Sequence, residues 1–399
     1  MWYNMEKVIK GAAQWGIILA IMVLLAACNK TETVYPEGDR TVLFYLAGDN
    51  NLSDDGYNNL RSLREGMKGV AGRVVIYFDP KGSAPCLMTI KGCDSPVLDT
   101  VAFYEEEDSA DPAVLQRVIG EMKLRYPSDS YGLILWSHGT GWFPEGYSFP
   151  GSTSYRRTNQ PYIPTKYFGQ DDIPGDGTGR SYMEIADLAA ALTGHFDFIM
   201  FDACFMASVE VLYELRDKAD YFIASPAEII TDGFPYEAAA PYFWGGEEDL
   251  KQVCREYYNY YANHPNVVYG EEWQSGMLAL VKASELGALA QAAHQAVGAV
   301  GESGVGSVWR YPLLAFGLPD VFYDLGDYVN VMGTEEDKAA FREQLARTVV
   351  YKVATPKMFG EEVPSDRYSG LSCYIPQSRW QDMNDFYSTL EWAQTVYGY

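Results

Sequence analysis

The sequence is short of positive charge, of histidine and of cysteine. Thirty Lys and Arg stand against 54 Asp and Glu, a formal net charge of −24 over 399 residues. Such a surface repels a phosphate backbone, which excludes nucleic acid as a partner; its field keeps the protein soluble and draws basic peptides and divalent cations. The six cysteines and four histidines show no zinc-site spacing, and no cofactor is required by any motif. The N-terminal apolar run, Ile17 to Leu25, is too short to span a bilayer comfortably. No internal repeat is present.

What is there is mostly apolar. Hydrophobic residues make up 48% of the chain, enough for a large packed core in one big α/β domain or two ordinary ones. The 31 Tyr suit stacking surfaces of the kind that bind peptides or carbohydrates. At the N-terminus, Lys7 and Lys10 precede the apolar run, which ends in Leu25-Ala26-Ala27-Cys28. Small residues before a cysteine resemble a bacterial lipoprotein signal, with Cys28 as the lipidated first residue. On this reading residues 1–27 are a signal peptide and 28–40, polar with Pro and Gly, a tether. The protein then belongs in the bacterial cell envelope, on the membrane through its N-terminal lipid. That compartment permits disulfides, and Cys86 and Cys93 are spaced for a hairpin bridge. With Cys204, Cys254 and Cys373 the count after Cys28 is odd, which is compatible with one free thiol.

Apolar runs at Thr41–Leu46, Arg73–Asp79, Tyr131–Ser137, Phe196–Asp202 and Asp220–Ser225 read as strands. Helical spacing falls between them, at 52–67, from Asp111-Pro112 to about Arg125, from a capping box at Ser181-x-x-Glu184 to Leu192, and from Cys204 to about Leu215. The strands lack clean period-two alternation, so they should form a parallel sheet covered on both faces. Residues 41–245 would be the catalytic α/β core. Residues 246–399, with helices at about 247–262, 284–299 and 335–352 and strands at Met277–Val281 and Leu371–Ile375, would pack on it and complete it. A long loop from Thr140 to Arg180 is expected to be functional.

In an open parallel sheet, ligands gather at the carboxyl ends of the strands. One strand ends at His138 and another at Cys204, so neighbouring strands would bring an imidazole and a thiol to one edge, a candidate nucleophilic pair. Gly139 and Gly141 beside His138 would let a substrate backbone approach. A helix starting at Cys204 would favour its thiolate. His195, His264 and His294 have no such setting.

Leu135-Trp136-Ser137-His138-Gly139-Thr140-Gly141-Trp142 resembles the His-Gly block of clostripain-like peptidases, and Asp197 to Met206, with its Asp-Ala-Cys-x-Met, resembles their nucleophile block. Val42 to Leu52, Ser225-Pro226-Ala227-Glu228 through Tyr236, and Gly370 to Pro376 resemble further blocks in the family's order. The resemblance implies a caspase-like, mostly parallel sheet flanked by helices, with a helical C-terminal extension contributing a late core strand. It implies a cysteine peptidase acting on peptides or proteins, with Cys204 as nucleophile and His138 as partner. Gly139 and Cys204 N–H groups would bind the oxyanion, and Asp232 and Asp202 would hold an Arg or Lys before the cut. It also implies self-cleavage in the loop 142–180, with Arg156, Arg157, Lys166 and Arg180 as candidate sites. Calcium is the cation an acidic set of Asp171, Asp172, Asp176 and residues 105–108 would hold. Two other readings stand beside it: a peptide- or glycan-binding lipoprotein on a peptidase-like scaffold, with the 31 Tyr and 9 Trp for capture, against which the pairing of His138 and Cys204 argues, and a cell-wall amide hydrolase.

Overall fold

A computed structural model describes residues 40–142, 167–172, 180–264, 266–268, 271–299, 301–312 and 321–399. The signal peptide, Cys28, most of the tether and the greater part of the long loop lie outside the described residues.

A nine-stranded sheet forms the centre. Its strands in chain order are β1 (Arg40–Gly48), β2 (Arg73–Pro80), β3 (Cys86–Lys91), β4 (Leu98–Phe103), β5 (Ser130–Trp136), β6 (Phe196–Asp202), β7 (Ala219–Ala224), β8 (Met277–Lys282) and β9 (Val349–Ala354). Their spatial order is β9-β8-β7-β6-β5-β1-β2-β3-β4. The five strands β7, β6, β5, β1 and β2 are mutually parallel, and an antiparallel pair extends each side.

The parallel strands are covered on both faces, as their unbroken apolar runs require. Along β1, Leu43, Tyr45 and Ala47 enter one core while Val42, Phe44 and Leu46 enter the other. The first core is roofed by α2 (Pro112–Arg125), α3 (Ile185–Ala191), α4 (Val209–Glu214), α6 (Leu286–Val297) and α8 (Glu391–Tyr397). The second is roofed by α1 (Ser53–Gly66), α5 (Glu247–Asn263) and the segment around Tyr236–Phe243. Asp111 caps α2 as its sequence indicates, its carboxylate accepting from the Ala113 N–H at 2.8 Å.

The C-terminal residues complete this sheet. β8 and β9 add its last two strands. Glu210 on α4, fully buried, accepts from the Tyr374 N–H (2.7 Å) and the Tyr387 hydroxyl (3.1 Å) and so ties the end of the chain to the core. Among the described residues no helix is long and apolar enough to cross a membrane.

Several local expectations change. The helix expected to 352 is α7 (Glu335–Thr348); Val349–Ala354, rich in β-branched residues and tyrosine, is the edge strand β9. The segment 371–375 is buried, and Ser372–Cys373 pairs with Tyr323–Asp324 beside the main sheet. Cys86 and Cys93 are free, because β3 runs extended between them and holds them far apart. The capping box does not form: Ser181 lies in a short strand with its hydroxyl on Asp108, and α3 begins after Glu184. β3 and β4 are not legible in the pattern, since β4 is an edge strand with much of its surface exposed.

Candidate active site

β5 and β6 pair in parallel with Trp136 opposite Asp202. Each chain runs on by two residues, to His138 and to Cys204. The register therefore sends both residues to the same end of neighbouring strands.

The two turns are packed tightly at Gly139. A Cβ there would stand 2.8 Å from the Cys204 carbonyl oxygen and 3.0 Å from the Ala203 Cβ. Gly141 has φ +74°, and a Cβ on it would stand 3.1 Å from the Phe205 carbonyl oxygen. Both glycines thus let the protein's own nucleophile turn approach closely.

Cys204 does not open a helix. The chain turns through Ala203 to Ser208 before α4 starts at Val209. Phe205 takes φ 61°, a left-handed conformation that a bulky side chain adopts only under constraint. The constraint is visible. The Phe205 N–H donates to Ala227 O at 2.9 Å, its carbonyl accepts from the Ser208 N–H at 3.1 Å, and its ring stacks on Phe322 with centroids 4.4 Å apart.

The Cys204 side chain is partly buried. Its sulfur accepts from the Ile229 N–H at 3.2 Å and donates to Ile229 O at 3.6 Å. Burial pushes the thiol pKa up to about 12, and the neighbouring Glu228 carboxylate raises it further against the Ile229 N–H. Without a helix end beneath it, the sulfur is held as a thiol.

His138 is 8% exposed, and its Nε2 lies 3.0 Å from Asn51 Oδ1. Burial, then the Arg180 charge, lowers its pKa to about 4, with Asp172 opposing. The imidazole is therefore neutral at ordinary pH.

The two acids expected at a specificity pocket are placed differently. Asp202 is buried, and one carboxylate oxygen accepts from the Tyr236 hydroxyl (2.8 Å) and the Phe234 N–H (3.2 Å). Burial raises its pKa to about 6. It holds the loop that carries Asp232 instead of facing solvent. Asp232 is exposed and lines an open cavity of about 490 Å³ with Asp55, Asn59, Glu237 and Tyr260. Asn59 links the cavity to the strand ends, donating to Asp232 O at 3.0 Å and accepting from the Trp136 indole at 2.8 Å.

The acids expected to bind calcium are engaged by protein donors. Asp171 accepts from the Ser109 N–H (2.7 Å) and hydroxyl (2.9 Å); Asp172 pairs with Lys81 (2.6 Å) and Arg180 (3.2 Å). Asp176 lies outside the described residues. Among the described residues no three His, Cys, Asp or Glu side chains converge as metal ligands. Of the candidate cleavage sites only Arg180 is described; Arg156, Arg157 and Lys166 lie outside. His195, His264 and His294 bond to Asp220, Tyr260 O and Val396 O and have local structural roles.

Asp55 and Tyr260 carry no spacing signal of their own, and Glu228 stands within a block singled out above without a role assigned to it. Asn51 stands within a block singled out above, but its partner is visible only in three dimensions.

Comparison with known proteins identifies the family and the fold. The sequence model of the Clostripain family matches residues 44–396. An inactive zymogen C11 protease from Parabacteroides distasonis is 34% identical, with a TM-score of 0.75 over 92% of this chain and 100% of that one. A secreted C11 cysteine protease from Bacteroides thetaiotaomicron, solved with an irreversible peptide inhibitor, is 34% identical, with a TM-score of 0.74 over 90% of this chain and 99% of that one. Clostripain of Hathewaya histolytica is 25% identical in an alignment 229 positions long that covers 49% of this chain and 40% of that relative's length.

Proposed function

The chain belongs to the clostripain family of cysteine peptidases, and we propose that it is an endopeptidase with Cys204 as nucleophile and His138 as its proton-transfer partner. The observation that carries this reading is the register of β5 and β6, which delivers a thiol and a neutral imidazole to one strand edge, with Gly139 packed on the Cys204 carbonyl.

The resting pair is neutral. Attack therefore begins when a bound peptide places its carbonyl against the sulfur and His138 accepts the thiol proton. Negative charge develops on the carbonyl oxygen, and the N–H groups of Gly139 and Cys204 are the donors suited to it. His138 then returns the proton to the departing amine. Water hydrolyses the resulting thioester.

The cavity beside Asp232 supports a preference for Arg or Lys before the cut. Asp232, Asp55 and Glu237 give it three carboxylates, and an extended cationic side chain would find charge-assisted acceptors there. Asp202 acts from beneath by fixing the loop. Cleavage of the chain within 142–180, at Arg156, Arg157, Lys166 or Arg180, would accompany activation; the Parabacteroides relative is described as a zymogen. A lipid on Cys28 would hold the enzyme on the envelope, outside the cytoplasm.

A positional peptide library digested by wild type and by Cys204→Ala tests this. Cleavage after Arg or Lys by wild type alone is expected, with two fragments of the wild-type chain by intact mass. Equal cleavage by Cys204→Ala would end the proposal.

A further inference from the structure

Three neighbouring strands, β1, β5 and β6, each end in a polar residue at the same edge of the sheet: Asn51 after β1, His138 after β5, Cys204 after β6. We propose that Asn51 is a positioning residue, which accepts the Nε2–H of His138 and so leaves Nδ1 as the nitrogen that exchanges a proton with Cys204. The inference rests on the peptidase reading above and names a member that a two-residue site does not require.

The contact is 3.0 Å from Nε2 to Asn51 Oδ1. A neutral imidazole has one N–H, and the partner of one ring nitrogen decides which nitrogen carries it. An amide oxygen can only accept, so the proton belongs on Nε2.

Asn51 is exposed, yet the turn around it is anchored on both sides. Next to it, buried Asn50 donates to Ala47 O (3.1 Å) and Gln170 O (2.8 Å), and its own side-chain oxygen accepts from the Leu52 N–H (2.8 Å). Asp49 O accepts from the Asp172 N–H at 2.7 Å. The base of the His138 turn is fastened to the same strand: the Ser137 hydroxyl donates to Ala47 O (2.8 Å) and accepts from the Gln170 N–H (3.1 Å). Gln170 thus contacts both turns and fixes the two backbones that carry Asn51 and His138 relative to each other. Lys81, Arg180, Asp49 and Asp172 are the charged groups of this neighbourhood.

The test uses the full chain labelled with ¹⁵N-histidine, as wild type, Asn51→Ala and Asn51→Asp, with Cys204→Ala and His138→Ala as controls. Long-range ¹H–¹⁵N spectra at neutral pH should show His138 of wild type as the Nε2–H tautomer and Asn51→Ala as a mixture. In peptide cleavage, Asn51→Ala should lose about tenfold or more in kcat with KM within about twofold, in the range typical of a misaligned proton-transfer group. Asn51→Asp should recover part of that rate and move the acid limb of kcat/KM upward, because a carboxylate beside Nε2–H favours the imidazolium.

An Nδ1–H tautomer in wild type would overturn the inference. So would wild-type kcat in Asn51→Ala, or equal loss in both variants with no shift of the limb. Cleavage that persists in Cys204→Ala would overturn the peptidase reading itself, whereas an inert Cys204→Ala beside a fully active Asn51→Ala overturns only the role of Asn51.

Discussion

Gly139 and Cys204 meet backbone to backbone: a Cβ added to the glycine would lie 2.8 Å from the cysteine carbonyl oxygen. The two site-bearing turns are therefore in contact, not merely close, and a methyl group between them must push one away. Gly139→Ala should lower kcat/KM by about tenfold or more and cost about 1–3 kcal/mol of stability, the usual scale of overpacking. Urea unfolding and steady-state kinetics check both figures. Unchanged activity would show that the spacing of the turns is irrelevant.

The Cys204 sulfur should behave as a thiol in the free protein. Burial and Glu228 place its pKa at about 12, so alkylation by iodoacetamide should climb with pH well beyond the range of an ordinary cysteine. The rate can be followed by mass spectrometry between pH 5 and 10. A plateau reached near pH 6 would mean a standing thiolate–imidazolium pair, and the neutral resting state would be wrong.

Asp202 gives a stability prediction. Its charge is buried and steadied by Tyr236 and the Phe234 N–H. Tyr236→Phe removes one donor and should cost about 1–3 kcal/mol, the penalty of a buried acceptor left short of a partner. The loss should be greater at pH 8 than at pH 5, because the folded-state pKa of about 6 means that the carboxylate is charged only at the higher value. Equal losses at both pH values would sink the assignment.

Asp232 gives a specificity prediction. Asp232→Asn should reduce kcat/KM for a substrate with Arg before the cut about tenfold, through a weakened charge-assisted bond, and leave an apolar residue at that position nearly unaffected. Parallel loss for both substrates would place Asp232 in the loop's structure instead of the pocket.

Asp79 is fully buried near the end of β2, beside Ser109 and the Asp171 carboxyl. Burial first, and then the charge of Asp171, raises its pKa well above the carboxylate range. A raised folded-state pKa stabilises the fold fully below the unfolded value, and that stability drains away as pH rises toward the folded value. Asp79→Asn should therefore gain in melting temperature over wild type as pH increases from 4 to 9. A constant difference across that range would contradict the shift.

Much of this was readable in one dimension. The apolar runs located β1, β2 and β5 to β8, because a strand buried on both faces must be apolar along its length. His138 and Cys204 stood out because each follows such a run. β3 and β4 were not legible; for β4 the reason is that an edge strand carries exposed polar residues and has no period strong enough to betray it. β9 was read as helix, since alternation over a few residues competes poorly with the helical pattern ahead of it.

The sequence by itself determined the alternation of strands and helices, the families of blocks, and which residues end the central strands. Only the tertiary structure decided their electrostatics and partners. Cys204 lost its expected helix end to a strained Phe205, Asp202 turned inward to Tyr236, and Asn51 met His138 across two adjacent strands. Local pattern encodes burial and periodicity, whereas a pKa or a hydrogen bond depends on groups far apart along the chain that packing alone brings together.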